Sequence, residues 1–325
     1  MSLAHAEPNR LPWKEGSCPL MLAPMQGVTN RALRSLLIET VRPDLVFTEF
    51  MRVSGVSRKR LRKSDLRDIA AEQGGVPLVV QLVGYGVQPL VSAALLAQER
   101  GAVHINLNVG CPFGRMTTSP TGGALLQHPE TLRELLPELR RVIQGSFSVK
   151  IRAGYDDPRQ ILGLLPLLEG SGVDFLVLHP RTVVQQYQGE ADHGLTSEVV
   201  RATSLPVIAN GDIRTAAGGH RLLQQTGAVG LMLGRGAIAD PTLFQRLRNP
   251  DQPEPDKSER SRALRRYLHA LIEGYAELFC GEKQVLDKLK KTLLWMDDPE
   301  WQPIFRKMKK ARGLEQFRQL VDELV

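Results

Sequence analysis

Up to about residue 236 the chain repeats one pattern. A short run of apolar, often β-branched residues closes on a glycine or a polar residue, and a segment with apolar positions at helical spacing follows. The runs are Leu20–Ala23, Leu45–Thr48, Leu78–Leu82, Val103–Leu107, Ser148–Ile151, Phe175–Leu178, Pro206–Ala209 and Val229–Leu233. Helical periodicity is clearest in Leu90–Arg100, Leu132–Ile143 and Gly218–Gln225. Apolar runs without polar alternation are strands buried on both faces, and strands alternating with helices build βαβ units on a parallel sheet. Eight units within roughly 215 residues predict an α/β fold, a closed (β/α)8 TIM barrel, whose usual length is about 250 residues. An open doubly wound sheet is the alternative. It would carry a glycine fingerprint after the first strand, where this chain reads Pro24-Met25-Gln26-Gly27.

Beyond the eighth run the pattern changes. Asn249 to Lys257 holds three prolines in a charged stretch and reads as a linker. From Ser258 to Val325 the apolar residues Leu264, Leu268, Leu271 and Tyr275 recur at helical spacing, and no strand-like run remains. The expected organisation is a barrel over 1–248 with an N-terminal tail over 1–18, a linker over 249–257, and a small all-helical domain over 258–325.

Composition narrows the class. The chain has 325 residues, 42% of them apolar and 24% charged, which is enough to bury a sizeable core and excludes global disorder. The three cysteines, Cys18, Cys111 and Cys280, sit at no metal-ligand spacing and cannot all pair, so neither a zinc ribbon nor a disulfide scaffold is expected, and no metal site. The first residues lack the apolar run of a signal peptide, and no stretch reaches the length of a membrane span, so the expected location is the cytoplasm.

In a parallel barrel the active site forms where strands end. Those ends carry Ala23-Pro24-Met25, Thr48-Glu49-Phe50, Gln81, Asn106 to Pro112, Lys150 with Arg152, His179 with Arg181, Asn210-Gly211-Asp212, and Gly234-Arg235-Gly236. Polar residues at nearly every strand end describe a built pocket rather than scattered caps. The glycines and Arg235 after the last two strands suit a phosphate, which barrels commonly hold there. Cys111 lies between Gly110 and Pro112, where packing requires no thiol. A thiol is ordinarily protonated at neutral pH, so it can act as a general acid, or attack as a thiolate beside a cation. The loop from Gly114 to Gly123, rich in Ser, Thr and Gly, reads as a lid. Lys150 and Arg152 share one face of a strand; a lysine facing a barrel interior needs a Schiff base, a phosphate or an electron-rich ring as its partner.

Charge adds a partner. The chain carries 42 Lys+Arg against 35 Asp+Glu, a net +7. The excess is clustered. Arg58-Lys59-Arg60-Leu61-Arg62-Lys63 follows the second strand, and nine bases face four acids between Lys283 and Arg312. Such clusters are consistent with nucleic-acid binding. Trp295, Trp301 and Phe305 interleave with the second cluster, as stacking residues or as core.

The strand-end motifs LAPMQGVT at 22–29, TEF at 48–50, QLVG at 81–84, LNVGCP at 107–112, VKIR at 149–152, HPRT at 179–182, PVIANGDI at 206–213 and GRGA at 234–237 resemble, in order, those of the tRNA-dihydrouridine synthase family. TEFMRV and LDKLKKTLLW at 286–295 resemble its C branch most. The resemblance implies an FMN enzyme that reduces uridine in the D-loop of tRNA to 5,6-dihydrouridine, with NADPH as electron donor and tRNA as partner; a monomer is the default expectation. Hydride would pass from the flavin to uracil C6, and Cys111 would protonate C5. By the same resemblance Ala23, Pro24, Met25, Gln81, Lys150 and His179 would contact the flavin ring. Asn210, Gly211, Asp212, Gly234 and Arg235 would hold its phosphate end. Glu49, Asn108 and Tyr187 would lie near the uracil, and Lys288 and Lys290 on an RNA-contacting helix. The chain departs from the family pattern at Asn106, where Asp is usual, at Pro180, where Gly is usual, and at Phe113-Gly114, where Ser-Lys is usual. Two other readings remain: a flavin oxidoreductase acting on a free pyrimidine, and an idle RNA-binding module.

Overall fold

The structure, a computed structural model, describes residues 11–71, 74–112 and 120–324. Its elements in order are β1 (Leu20–Leu22), α1 (Arg31–Val41), β2 (Leu45–Phe47), β3 (Met51–Arg52), α2 (Lys63–Ile69), β4 (Leu78–Val83), α3 (Val87–Glu99), β5 (His104–Val109), a 3₁₀ turn (Gly122–Gln127), α4 (Pro129–Val142), β6 (Phe147–Arg152), α5 (Gln160–Gly170), β7 (Phe175–His179), α6 (His193–Ala202), β8 (Val207–Asn210), α7 (Ala216–Thr226), β9 (Gly230–Leu233), α8 (Arg235–Ala239), α9 (Leu243–Arg248), α10 (Lys257–Leu278), α11 (Glu282–Leu293), α12 (Gln302–Lys310) and α13 (Leu314–Asp322).

All strand pairings are parallel. The order β2-β1-β9-β8-β7-β6-β5-β4 closes on itself through β2–β4, giving the expected eight-stranded barrel. Each of the eight apolar runs becomes a barrel strand, with ends shifted by no more than two residues. The ninth strand, β3, is only two residues long and pairs with the upper end of β4, Met51 opposite Leu82. No periodicity can register in two residues, so it left no trace in the pattern.

The helices start where local chemistry caps them. Asn30 accepts from the Leu33 N–H, Thr215 from the Gly218 N–H, and Asp256 forms a reciprocal capping box with Glu259. Three apolar layers result. The barrel interior holds Met21, Leu45, Phe47, Val79, Phe175, Val177, Ile208 and Met232, closed from below by Leu11 and by Trp13, whose ring stands edge-on to Phe175 at 4.8 Å. A second cluster lies between β4–β8 and the helices outside them. The third runs without a break from β1, β9 and α1 into α10–α13. The stretch between α9 and α10 is pinned as well, because Arg246 pairs with both Asp240 and Glu254. On the same side of the molecule, Arg214 at the end of β8 meets Asp297 beyond α11 at 2.8 Å.

Candidate functional site

Strand side chains alternate, so the residues two apart on each strand share the barrel interior. On β4 the sequence of inward residues is Val79 then Gln81; on β7 it is Phe175, Val177, then His179; on β8 it is Ile208 then Asn210. Along each of these strands the interior therefore turns from apolar to polar toward the C-terminal end. The floor of the site is this polar layer.

Its first half is a chain of amides under Cys111. The Asn108 Oδ1 accepts from the backbone N–H groups of Gly110 and Cys111 at 3.0 and 2.9 Å. Asn108 Nδ2 then donates to Gln81 Oε1, Gln81 Nε2 to Asn106 Oδ1, and Asn106 Nδ2 to Ser148 Oγ, each at 2.8 Å. Because backbone N–H groups can only donate, the orientation of every amide in the chain follows from the first contact. An aspartate at position 106 would accept from Ser148 instead; the asparagine reverses that bond and avoids burying a charge. On its other side Cys111 accepts the Gly123 N–H at its carbonyl, 3.0 Å away. Gly122 has φ +58, and a Cβ there would lie 3.1 Å from the Cys111 Cβ, so only glycine lets the returning chain pass so close. Cys111 is a free, half-buried thiol in the pocket wall. Residues 114–119 of the expected lid, and residue 113 before it, lie outside the described residues.

The second half of the floor is cationic. Lys150 Nζ donates to Asn210 Oδ1 at 2.8 Å, and Asn210 Nδ2 donates to the Met232 carbonyl at 2.8 Å. Burial, and then the neighbouring Arg152 charge, lower the Lys150 pKa to about 7. His179 is buried and accepts at Nε2 from the Arg181 guanidinium at 3.1 Å. Since arginine can only donate, a neutral His179 carries its proton on Nδ1. Burial first, then Lys150 and three surrounding guanidiniums, hold its pKa well below the usual imidazole range. Arg181 and Arg235 both grip Asp212, at 2.6 and 2.8 Å, and Asp212 also accepts the Ala191 N–H. Burial opposes its ionisation, but Arg181, the Ala191 N–H and Arg235 outweigh it and hold the Asp212 carboxyl below the ordinary range. Gly211 has φ +127, and a Cβ there would stand 2.9 Å from the His179 ring.

Tyr187 roofs part of the site. The guanidiniums of Arg152 and Arg235 lie 5.3 and 5.2 Å from its ring centre, and Trp295 meets it edge-on at 6.5 Å. Arg152 is itself buried and tied to the carbonyls of Gly110, Thr182 and Gln186, so one side chain braces both the Cys111 loop and the Tyr187 loop. Trp295, from the end of α11, brings the helical region into the pocket wall. The sequence marked it only as an aromatic among lysines; its reach to the pocket depends on how α11 docks, which no local pattern encodes.

The cleft so formed opens to solvent at the C-terminal ends of the strands. Its wall brings together Ala23, Pro24, Met25, Asn108, Cys111, Lys150, His179, Tyr187, Asn210, Gly211, Asp212, Gly234 and Arg235. The other expected site residues lie elsewhere. Gln81 is fully buried beneath Asn108, with its amide engaged at both ends. Glu49 is half-buried beside the Gly27 N–H, with one carboxylate oxygen buried and lacking a hydrogen-bond partner. Burial raises its pKa, opposed by the charges of Lys288 and Arg34. Lys288 lies 4.9 Å from the Phe279 ring centre, and Lys290 donates to the Ala311 carbonyl at 2.5 Å, joining α11 to the end of α12.

Among the described residues no metal-ligand cluster occurs, and no helix is long and apolar enough to cross a membrane. The arrangement offers a thiol at the mouth of an elongated pocket, a neutral imidazole and a low-pKa ammonium at its floor, and glycines with an arginine at one end. That set suits a planar cofactor with an anionic tail and a substrate brought up to Cys111. Comparisons with known proteins find relatives over most of the chain. The profile of the family described as Dihydrouridine synthase (Dus) matches residues 21–321. A probable tRNA-dihydrouridine synthase of Rhodobacter capsulatus is 31% identical over 302 residues, 90% of each chain. The tRNA-dihydrouridine synthase B of Pseudomonas syringae is 34% identical over 80% of this chain and 78% of its own. The tRNA-dihydrouridine(16) synthase of Haemophilus influenzae is 36% identical over 73% of this chain and 78% of its own. Among solved structures, a morphinone reductase superposes with a TM-score of 0.53 over 74% of this chain and 90% of its own; at 15% identity the likeness is one of fold.

Proposed function

The chain belongs to the dihydrouridine synthase family, and from that premise we propose that it reduces the C5=C6 bond of a uridine in tRNA, with a bound flavin, FMN, and with Cys111 as proton donor. The observation that carries the proposal is the Cys111 backbone, fixed by Asn108 and Gly123, which sets its thiol in the wall of the cleft that Lys150, His179 and Arg235 also line.

The residues present fit a flavin mononucleotide. Ala23, Pro24 and Met25 offer a small apolar surface for a ring, and the half-buried Lys150 ammonium donates to the neutral Asn210 side-chain carbonyl. An electron-rich or anionic ring edge is the partner that would restore its charge. At the other end Gly211 and Gly234 leave the backbone open, and Arg235 adds a guanidinium for a phosphate. When bound, reduced flavin supplies a hydride for uracil C6. Cys111 delivers its proton to C5, and the thiolate left behind is reprotonated from solvent. His179, held neutral by Arg181, has an Nδ1 proton to donate to the ring edge. Asn108 keeps one amide hydrogen that neither Gln81 nor the backbone uses, and that hydrogen is available to the base. The uridine must leave its stack to enter, at a cost of a few kcal/mol. Tyr187 and Trp295 offer aromatic surface at the entrance, and the helical region 258–325, through Lys288, holds the RNA.

The electron donor we assign is NADPH, and the branch we assign is the C branch with position 16 as its target, a position that the Haemophilus influenzae relative bears in its name. Position-resolved mapping of dihydrouridine in tRNA from cells with and without the gene tests the branch and the reaction. Loss at position 16 alone is the expected result; loss at another position overturns the branch, and no loss overturns the reaction.

A further inference from the structure

Resting on the tRNA reading above, we propose that the loop 54–60 with the start of α2 is a second RNA-contacting surface, and that the substrate backbone runs along the β1–β4 side of the pocket mouth. The loop leaves the barrel at its C-terminal rim, since β3 pairs with the last residues of β4 and the Val53 N–H bonds the Val83 carbonyl. Phe50, just before it, lines the pocket, and the Arg52 guanidinium lies over its ring at 5.4 Å. The loop is built rather than slack. Ser54 N–H bonds the Arg60 carbonyl, and the Arg60 guanidinium donates to the carbonyls of Ser54, Gly55 and Ser57 at 2.9, 3.1 and 3.1 Å. Val56 at its apex is 99% exposed, so the loop projects from the body. Arg58, Lys59, Lys63 and Arg67 are exposed, and among the described residues they form no ion pair. Lys63 and Arg67 stand one turn apart on α2 and share a face.

The opposite rim is organised differently. There Arg181 and Arg235 are spent on Asp212, Arg214 on Asp297, and Arg152 on three carbonyls. Going round the barrel from β1, the ammonium of Lys291 sits against Gly27 after β1, and Lys288 acts on Glu49 after β2. The loop after β3 then continues the same arc of cations. A polyanion gains most where cations lack acidic partners, because each contact then releases counterions without first breaking an ion pair. A loop already held by its own hydrogen bonds loses little further entropy on binding.

The test compares two charge-matched triple variants of the full, flavin-loaded chain. Arg58→Gln/Lys59→Gln/Lys63→Gln removes the loop cations; Arg133→Gln/Arg201→Gln/Arg221→Gln removes three exposed cations from the outer helices α4, α6 and α7. With the tRNA substrate, the loop variant is expected to raise KM tenfold or more, leave kcat and flavin content unchanged, and make the slope of log affinity against log salt shallower by about 2–3. The control is expected to match the unmodified protein. Equal loss in both variants, or none in the loop variant, overturns the inference. Failure of the unmodified protein to bind tRNA or form dihydrouridine overturns the functional reading instead, and is seen before either variant is made.

Discussion

The amide chain under Cys111 makes a quantitative prediction. Asn108→Ala removes the acceptor for two backbone N–H groups and the donor to Gln81 Oε1. Two hydrogen bonds are worth about 0.5–1.5 kcal/mol each, and the Gln81 carbonyl, left unpaired in a fully buried residue, costs about 1–3 more. The expected loss is therefore about 2–6 kcal/mol, against a total stability of about 5–15 for a typical protein. Asn108→Asp differs. Its carboxylate still accepts from Gly110 and Cys111, and Gln81 and Asn106 can both flip. Gln81 Nε2 then donates to the new carboxylate, Asn106 Nδ2 to Gln81 Oε1, and the Ser148 hydroxyl to Asn106 Oδ1, so the chain inverts its polarity with every bond remade. Urea unfolding of the flavin-free protein reads the cost as a shift of midpoint at constant slope. The aspartate variant should lie closer to the unmodified protein than the alanine variant does. In turnover, the alanine variant should lose up to about 10²-fold in kcat, because the thiol is no longer held in place. Equal midpoints for alanine and unmodified protein, or an aspartate variant as unstable as the alanine one, would refute the reasoning.

Four further outcomes are expected. Cys111→Ala should keep flavin and tRNA binding and lose most uridine reduction; full activity would end the assignment of Cys111 as the acid. Lys150 has a folded pKa near 7 against 10.5 for the free side chain. Between those values the unfolded chain binds the extra proton, so its contribution to apoprotein stability is least below about pH 7 and rises with pH through that window. Lys150→Met should flatten this rise in urea midpoints measured from pH 7 to 10, and an unchanged rise would place the titrating group elsewhere. Arg181→Met removes one of the two guanidiniums on the exposed Asp212, which keeps Arg235, and the donor to the Gln188 and Gly189 carbonyls; it should cost about 1–3 kcal/mol in the same unfolding assay, with loss of bound flavin. Lys288→Ala should make the salt dependence of tRNA binding shallower by about 0.7–0.9, whereas Lys290→Ala, whose ammonium bonds the Ala311 carbonyl, should lower thermal stability and leave that slope unchanged.

The barrel was legible because parallel strands buried on both faces leave continuous apolar runs, and because each ended in a residue of different character. The position of a residue along a strand was legible too, and that is why Cys111, Lys150, His179 and Asn210 could be placed on one rim. Depth was not. Gln81 on β4 and Lys150 on β6 are both inward residues two before the last residue of their strands, yet Gln81 lies one layer down, covered by Asn108, while Lys150 reaches the cleft. The stagger between strands decides this, with Gln81 level with Asn106 and Asn108 level with Lys150, and stagger belongs to the closed sheet rather than to any one segment. The same limit applied to α11. Its helical spacing was plain, but Lys288, Lys290 and Trp295 face three different surroundings, set by packing against α12 and the barrel loops.

That layered interior gives a physical reason for where the chain tolerates change. Val79, Val177 and Ile208 fill the apolar layer, and volume-conserving swaps there leave the polar layer untouched. Gln81 and Asn106 lie in the polar layer without touching the cleft, but each makes a bond on which the orientation of Asn108 depends. Substituting either by an apolar residue of similar size removes a partner at both of its ends, so the defect reaches Cys111 through neutral hydrogen bonds alone. Residues with no access to substrate then carry much of the placement of the reacting thiol. Gln81→Leu should reproduce the kinetic defect of Asn108→Ala in attenuated form, with flavin content preserved, because the cleft wall itself is intact.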